Sequence, residues 1–186
     1  MRVKRSAFFW QEFAYIRPYH PFWRFGEKNP LFDRNDGLIL DLKQGNSDAI
    51  TAAAKDFLRA LDEWKLPVTA ILAIVPGHKA RSLNVKEPMA KVVHELLKLR
   101  PGRYAAHVDT LIRHRTVQKL AHGGDRDVNI HRTSIKVSNP GAVRNRILVV
   151  VDDVATTGNS FEACRELLLD SGVRRVGALA LGGTTP

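Results

Sequence analysis

The sequence predicts an α/β protein, with a mainly parallel sheet covered by helices on both faces and an irregular aromatic segment ahead of it. Three observations carry this expectation. From Val68 onward, apolar strand-like runs alternate with segments of helical spacing. Two of those runs, "VTAILAIVP" and "RILVVVDDV", are β-branched and unbroken, as strands buried on both faces must be. The chain then closes on "RRVGALAL", a further strand pattern that follows a helix stop at Gly172. In such sheets, ligands gather at the carboxyl ends of the strands.

The elements follow in order. Residues 1–37 are rich in aromatics and broken by Pro18, Pro21, Pro30 and Gly37, which predicts irregular chain or short strands. Trp10 and Trp23 lie in this segment, so it should pack on something. "NSDAITAAAKDFLRALDEW" places Ile50, Ala53, Ala54, Phe57, Leu58 and Leu61 at helical spacing behind an Asn46 or Ser47 cap. The strand Val68–Val75 comes next. "PMAKVVHELLKL" is helical, with Pro88 tolerated in its first turn. "RYAAHVDTLI" reads as one strand. The polar stretch Arg113–Arg132 is too long for an ordinary connection and is expected to be a mobile functional loop. "TSIKVS" is a short strand, Ile147–Val151 the clearest strand, and "SFEACRELLLDSG" a helix beginning near Ser160.

Composition narrows the function. A chain of 186 residues with 44% hydrophobic and 26% charged residues is an ordinary globular domain with room for a substantial core. No apolar run approaches the roughly 20 residues of a membrane span, so no membrane partner is expected. The start "MRVKRSAFFW" is too short in its apolar part for a signal peptide. The single cysteine, Cys164, excludes an intrachain disulfide or a Cys-rich zinc site and suits a reducing cytoplasm; it reads as a packing residue. The net charge of +10 favours anionic partners, whether phosphorylated small molecules, nucleic acid or an acidic protein surface.

The chemistry concentrates in "RILVVVDDVATTGNS". At the end of a buried strand stand Asp152 and Asp153, followed by Val154, Ala155, Thr156, Thr157, Gly158, Asn159 and Ser160. The turn can aim backbone N–H groups and threonine hydroxyls at a phosphate by the helix N-terminus, with Gly158 permitting close approach. Carboxylates do not bind phosphate, but they accept from vicinal sugar hydroxyls. A ribose 5-phosphate satisfies both halves. A strand end whose acids merely cap a helix explains one acid and leaves the second, and the paired threonines, without a role. A receiver domain also begins "ILVVDD" but needs more elements than the residues after Asp153 can supply.

This motif resembles the phosphoribosyl-pyrophosphate (PRPP) motif of the type I phosphoribosyltransferases, with Ser160 where a threonine is more usual. The resemblance implies that fold, a PRPP ligand bound with Mg²⁺, and transfer of the phosphoribosyl group to a nitrogenous base with release of pyrophosphate. Asp152 and Asp153 would then orient the ribose hydroxyls, and residues 154–160 would hold the 5-phosphate. The loop Pro76, Gly77, His78, Lys79 and Arg81, just after an earlier strand, would hold the pyrophosphate. The stretch Arg113–Arg132 corresponds to the loop that closes over such sites. Its cations, with Arg113, Arg115, Lys119 and Arg126 as candidates, would meet the charge building on the leaving group. His114, His122 and His131 lack metal-ligand spacing and read as loop histidines; no residue is assigned directly to a metal.

More of the chain is similar to the ComF-like branch: Arg81 and Asn84, then Arg113, Thr116 and Gln118, then Arg126 and Asn129, with "ILDLKQGN" ahead of the first helix. The Cys-rich zinc module that precedes many of those proteins has no counterpart here. By position, residues 1–45 would form the variable hood over the base, within the same domain as a core at 46–186. Tyr15, Tyr19, Phe22, Trp23 and Phe25 are candidates to stack on the base, and core packing accounts for them equally well. Two functions stay open: an enzyme, or a non-catalytic PRPP- or nucleotide-binding protein acting in DNA uptake or regulation, to which a basic nucleic-acid-binding surface would belong. Homodimers are common in the family, and nothing in the sequence marks an interface.

Overall fold

The computed structural model describes residues 2–5, 12–64, 66, 70–81, 83–118 and 128–184. The strands are β1 (Arg2–Arg5), β2 (Glu12–Tyr19), β3 (Trp23–Arg24), β4 (Glu27–Lys28), β5 (Ala70–Ile74), β6 (Tyr104–Ala106), β7 (Leu111–Arg113), β8 (Ile135–Val137), β9 (Ile147–Ala155) and β10 (Arg175–Thr184). The helices are α1 (Arg34–Gln44), α2 (Ser47–Glu63), α3 (Pro88–Leu99), α4 (Val128–Ser134), α5 (Pro140–Val143) and α6 (Asn159–Asp170). The main sheet has the order β1-β2-β10-β9-β5-β6. All its pairings are parallel except β1 with β2.

Helices cover both faces, as expected, because the central strands are apolar on both sides. Leu72 and Ile74 of β5 and Val149 and Val151 of β9 share a core with α1, α2 and α3. Ile71, Ala73, Leu148 and Val150 point the other way, into a core with Phe161, Cys164 and Leu168 of α6 and with Leu111 and Ile135 of the β7–β8 pair. An unbroken apolar run is the sequence form of this two-sided burial.

The N-terminal part is more regular than expected. β2 joins the main sheet beside β10, in register from Phe13 with Ala178 to Tyr19 with Thr184. Tyr15 and Tyr19 are core residues. Gly183 leaves room for the first, since a Cβ there would lie 2.4 Å from Tyr15 Cδ1. β3 and β4 form a small hairpin whose turn residues, Phe25 and Gly26, both have positive φ, 54° and 86°.

Helix α1 is a second departure. Its N-terminus carries a capping box: the Asp33 side chain accepts from the Asn35 and Asp36 amides, and the Asp36 carboxylate accepts from the Asp33 amide. Gly45, at φ 83°, ends it in the left-handed conformation. "RYAAHVDTLI" is not one strand but β6 and β7, separated by a turn at His107–Thr110. β7 leaves the main sheet and pairs with β8, Leu111 facing Val137. Among the described residues, no helix is long and apolar enough to cross a membrane.

Candidate functional site

The strand order reverses between β5 and β9: β6 lies outward of β5, while β10 and β2 lie beyond β9. Loops leaving the carboxyl ends of two such strands diverge to opposite faces and open a crevice between them, where ligands of α/β sheets settle. The two loops singled out by the sequence are those loops. Ile74 is in register with Val151, and the Val75 amide donates to the Val151 carbonyl at 3.1 Å, so Pro76–Arg81 leaves the sheet directly beside Asp152.

β9 runs longer than expected and ends at Ala155, because it stays paired with β10 as far as Ala155 opposite Gly183. Asp152 and Asp153 are therefore strand residues. Their side chains alternate. Asp153 lies on the α1 side, with Oδ2 3.8 Å from Lys43 Nζ; Asp152 follows Leu148 and Val150 onto the Arg113 side. The Asp153 amide donates to Asp152 Oδ1 at 2.8 Å. Burial pushes the Asp152 carboxyl well above the usual carboxylate range, and the adjacent Asp153 charge adds to the effect. Burial also raises Asp153, with the Lys43 ammonium acting against it.

Val154 and Ala155 were expected in the phosphate turn. They are instead the last ladder residues, with side chains packed in the two cores. The turn shortens to Thr156, Thr157 and Gly158. Both threonines are exposed, Gly158 caps α6 at φ 85°, and the Thr157 hydroxyl accepts from the Asn159 amide at 3.4 Å. Asn159 and Ser160 open the first turn of α6, close to the expected start near Ser160. A helix N-terminus behind a glycine turn is where backbone N–H groups and flanking hydroxyls can meet an anion.

Across the crevice, the Pro76–Arg81 loop is held from below. Arg113 is only 2% exposed and points back at it: Nε donates to the Gly77 carbonyl at 2.5 Å, and a terminal nitrogen donates to the Pro76 carbonyl at 3.3 Å. The third nitrogen donates to Ser134 Oγ at 2.5 Å. Burial lowers the Arg113 pKa, while the negative forms of Cys164 and Asp152 oppose that shift. Arg113 thus positions the loop rather than standing in it as an open cation. Arg115 is exposed on the same strand of chain.

Further hydrogen bonds lace the loop to residues 113–117: Arg81 amide to Arg113 carbonyl, Val117 amide to His78 carbonyl, and Ala80 amide to Thr116 Oγ1. Arg81 is committed in part to Glu87, at 3.0 Å, and the Glu87 carboxylate also sits against Gly77, where a Cβ would lie 3.2 Å from Oε1. Lys79 is exposed. Lys119, His122 and Arg126 lie outside the described residues.

Three residues take places at the site that their sequence patterns do not assign. Lys43 faces Asp153 from the last turn of α1, a helix whose capping box was the overlooked signal. Asn84 is 1% exposed and donates from Nδ2 to the Val108 and Leu111 carbonyls, at 2.9 and 2.7 Å, fixing the turn that delivers β7. His131, expected to be a loop histidine, is 7% exposed on α4, between Arg113 and Ser160. His114 is exposed. Cys164 is buried in the core, its thiol pushed up to about 12, which fits the packing role. Of the aromatic stacking candidates, Tyr15 and Tyr19 are core residues. Phe22 packs edge-on against Trp23 and Phe32, while Trp23 and Phe25, 65% and 95% exposed, stand on the β3–β4 hairpin.

No protein-family model matches the sequence, and no curated protein matches it significantly. Among solved structures, the chain is similar to a hypoxanthine phosphoribosyltransferase from Staphylococcus aureus (10% identity, 74% of this chain and 73% of that one, TM-score 0.44). It is similar to a purine phosphoribosyltransferase from Pyrococcus horikoshii (17% identity, 90% and 78%, TM-score 0.41). A hypothetical protein from Neisseria gonorrhoeae with bound ppGpp is also similar (15% identity, 75% and 70%, TM-score 0.45).

Proposed function

We propose that the crevice binds PRPP with Mg²⁺ and that the protein transfers the phosphoribosyl group to a nitrogenous base. The observation that carries this reading is the adjacency, at the switch point of the sheet, of two carboxylates, a hydroxyl-bearing glycine turn at a helix N-terminus and the Arg113-held loop. Thr156–Ser160 would take the 5-phosphate, through α6 amides and hydroxyls. Asp152 and Asp153 would accept from the ribose hydroxyls. The Gly77–Lys79 backbone, with the Lys79 and Arg81 side chains, would hold the pyrophosphate.

A hard divalent cation fits this donor set in a particular way. Among the described residues no cluster of three or more acidic, His or Cys side chains could hold a metal alone. Mg²⁺ is commonly held by one or two carboxylates together with substrate phosphates, and Asp152 and Asp153 are the carboxylates available. Bound with the pyrophosphate, Mg²⁺ would offset negative charge on the leaving group. In the transfer, a ring nitrogen of the base forms a bond to C1 of the ribose as the C1–O bond to pyrophosphate breaks with inversion. The proton lost from that nitrogen would pass to whichever of the two aspartates is not engaged by the cation.

Isothermal titration with PRPP and Mg²⁺ tests the site, in parallel with the Asp152→Asn, Asp153→Asn variant. Saturable binding by the wild type that the variant loses is the expected result; normal binding by the variant refutes the assignment. A screen of bases for pyrophosphate release then separates an enzyme from a PRPP-binding regulator. The +10 charge suits a regulator as well as an enzyme, and the regulator predicts salt-sensitive DNA binding with no turnover.

A further inference from the structure

We propose that His131 is a positioning residue which, as its Nε2–H tautomer, joins the Arg113-held loop to Ser160 and turns the Ser160 hydroxyl proton outward, toward a ligand phosphate. The proposal rests on the phosphoribosyl reading of the crevice. It follows from who can donate to whom. A guanidinium has five N–H donors and no acceptor. Arg113 lies 3.4 Å from His131 Nδ1, so Nδ1 has to accept. In a neutral imidazole the proton then sits on Nε2, which lies 3.4 Å from Ser160 Oγ. That contact occupies a lone pair on the serine oxygen and leaves its O–H free to donate elsewhere. The opposite tautomer would set donor against donor at Arg113. It would also draw the serine proton inward, turning oxygen lone pairs toward an incoming phosphate.

The surroundings hold this arrangement. Arg132, the next residue on α4, pairs with Glu166 at 2.9 Å and Asp170 at 3.3 Å on α6, locking the two helices together. Burial and the nearby Arg113 charge both depress the His131 pKa, which keeps the imidazole neutral. Ser134, whose hydroxyl donates to the His131 carbonyl at 3.2 Å, accepts in turn from Arg113. The two halves of the crevice, one at Pro76–Gly77 and the other at the start of α6, are therefore connected through the Arg113 and His131 side chains.

Two measurements test this. Imidazole nitrogen NMR of the wild type should show His131 neutral, with the proton on Nε2; an Nδ1–H tautomer or a cation at neutral pH overturns the proposal whatever the ligand does. Titration with ribose 5-phosphate, which carries the phosphate without the pyrophosphate, should show binding weakened about tenfold or more in His131→Leu. His131→Gln can accept from Arg113 and donate to Ser160, and should recover most of that loss. In a Ser160→Ala background, His131→Leu should weaken binding little further. A full additional loss there, or no recovery with glutamine, overturns the relay while the phosphoribosyl reading stands. A wild type that binds neither ribose 5-phosphate nor PRPP overturns that reading, and the task assigned to the serine with it.

Discussion

Replacing Asn84 with alanine should destabilise the protein by about 2–4 kcal/mol, and the figure follows from its two side-chain bonds. Nδ2 donates to the carbonyls of Val108 and Leu111, at 2.9 and 2.7 Å, and the side chain is almost wholly buried. Stranding a buried acceptor costs roughly 1–3 kcal/mol. Two of them, with partial relaxation of the turn, give the stated range. Urea unfolding is the assay: the midpoint should fall with little change in slope, since the surface exposed on unfolding is nearly the same. Asn84→Asp sharpens the test. It keeps the shape but sets a carboxylate against two carbonyl oxygens, so it should cost more than alanine at neutral pH. The penalty should ease as acid restores one donor. An alanine variant within about 0.5 kcal/mol of wild type would mean that the turn is held by other contacts, and the reasoning that Asn84 delivers β7 and Arg113 to the crevice would fail.

Two further outcomes concern the aspartates. Because the folded-state pKa values of Asp152 and Asp153 are raised above an unfolded value of about 3.9, the fold is most favoured with both protonated. Stability is lost as pH rises from that value through the folded pKa values. The Asp152→Asn, Asp153→Asn variant should therefore melt higher than wild type at pH 7, with the gap closing toward pH 4; an equal or lower melting temperature at pH 7 contradicts the assigned direction. Lys43→Met removes the charge opposing that shift at Asp153, so the Asp153 carboxyl, followed by carbon NMR, should titrate higher in the variant, and an unchanged titration would show that Lys43 does not act on it.

The parts legible in the sequence are those whose signals are local. β9 announces itself as a branched run, the turn after it as Thr-Thr-Gly, and α6 by its spacing and Gly172 stop. Strand ends were harder to read. β9 runs on through two acids because β10 continues to pair with it, a contact that no local pattern encodes. The break between β6 and β7 falls at His107–Thr110, without the glycine or proline that usually marks a turn. Helix α1 was hidden by its setting, since Gly37 and the aromatic stretch before it masked the Asp33–Asp36 capping box. Nothing local distinguishes Arg113 from an open cation or His131 from a loop residue, because their meaning lies in partners far along the chain: Gly77 for the first, Ser160 for the second.

The placement of β2 bears on how the chain reaches this shape. β10 lies between β9 and β2, pairing with both, and Tyr15 finds its opposite number only at Ala180. On a ribosome, β2 emerges ahead of every helix and strand of the core described above, and must wait for them all before its main neighbour exists. Contacts of such separation close slowly, since the loop entropy is lost before the contact forms. Until then an eight-residue strand with tyrosines destined for the core stands unpaired on that side, open to pairing with another chain. The final strand thus acts as a clasp, and shortening it would release two strands from the sheet at once.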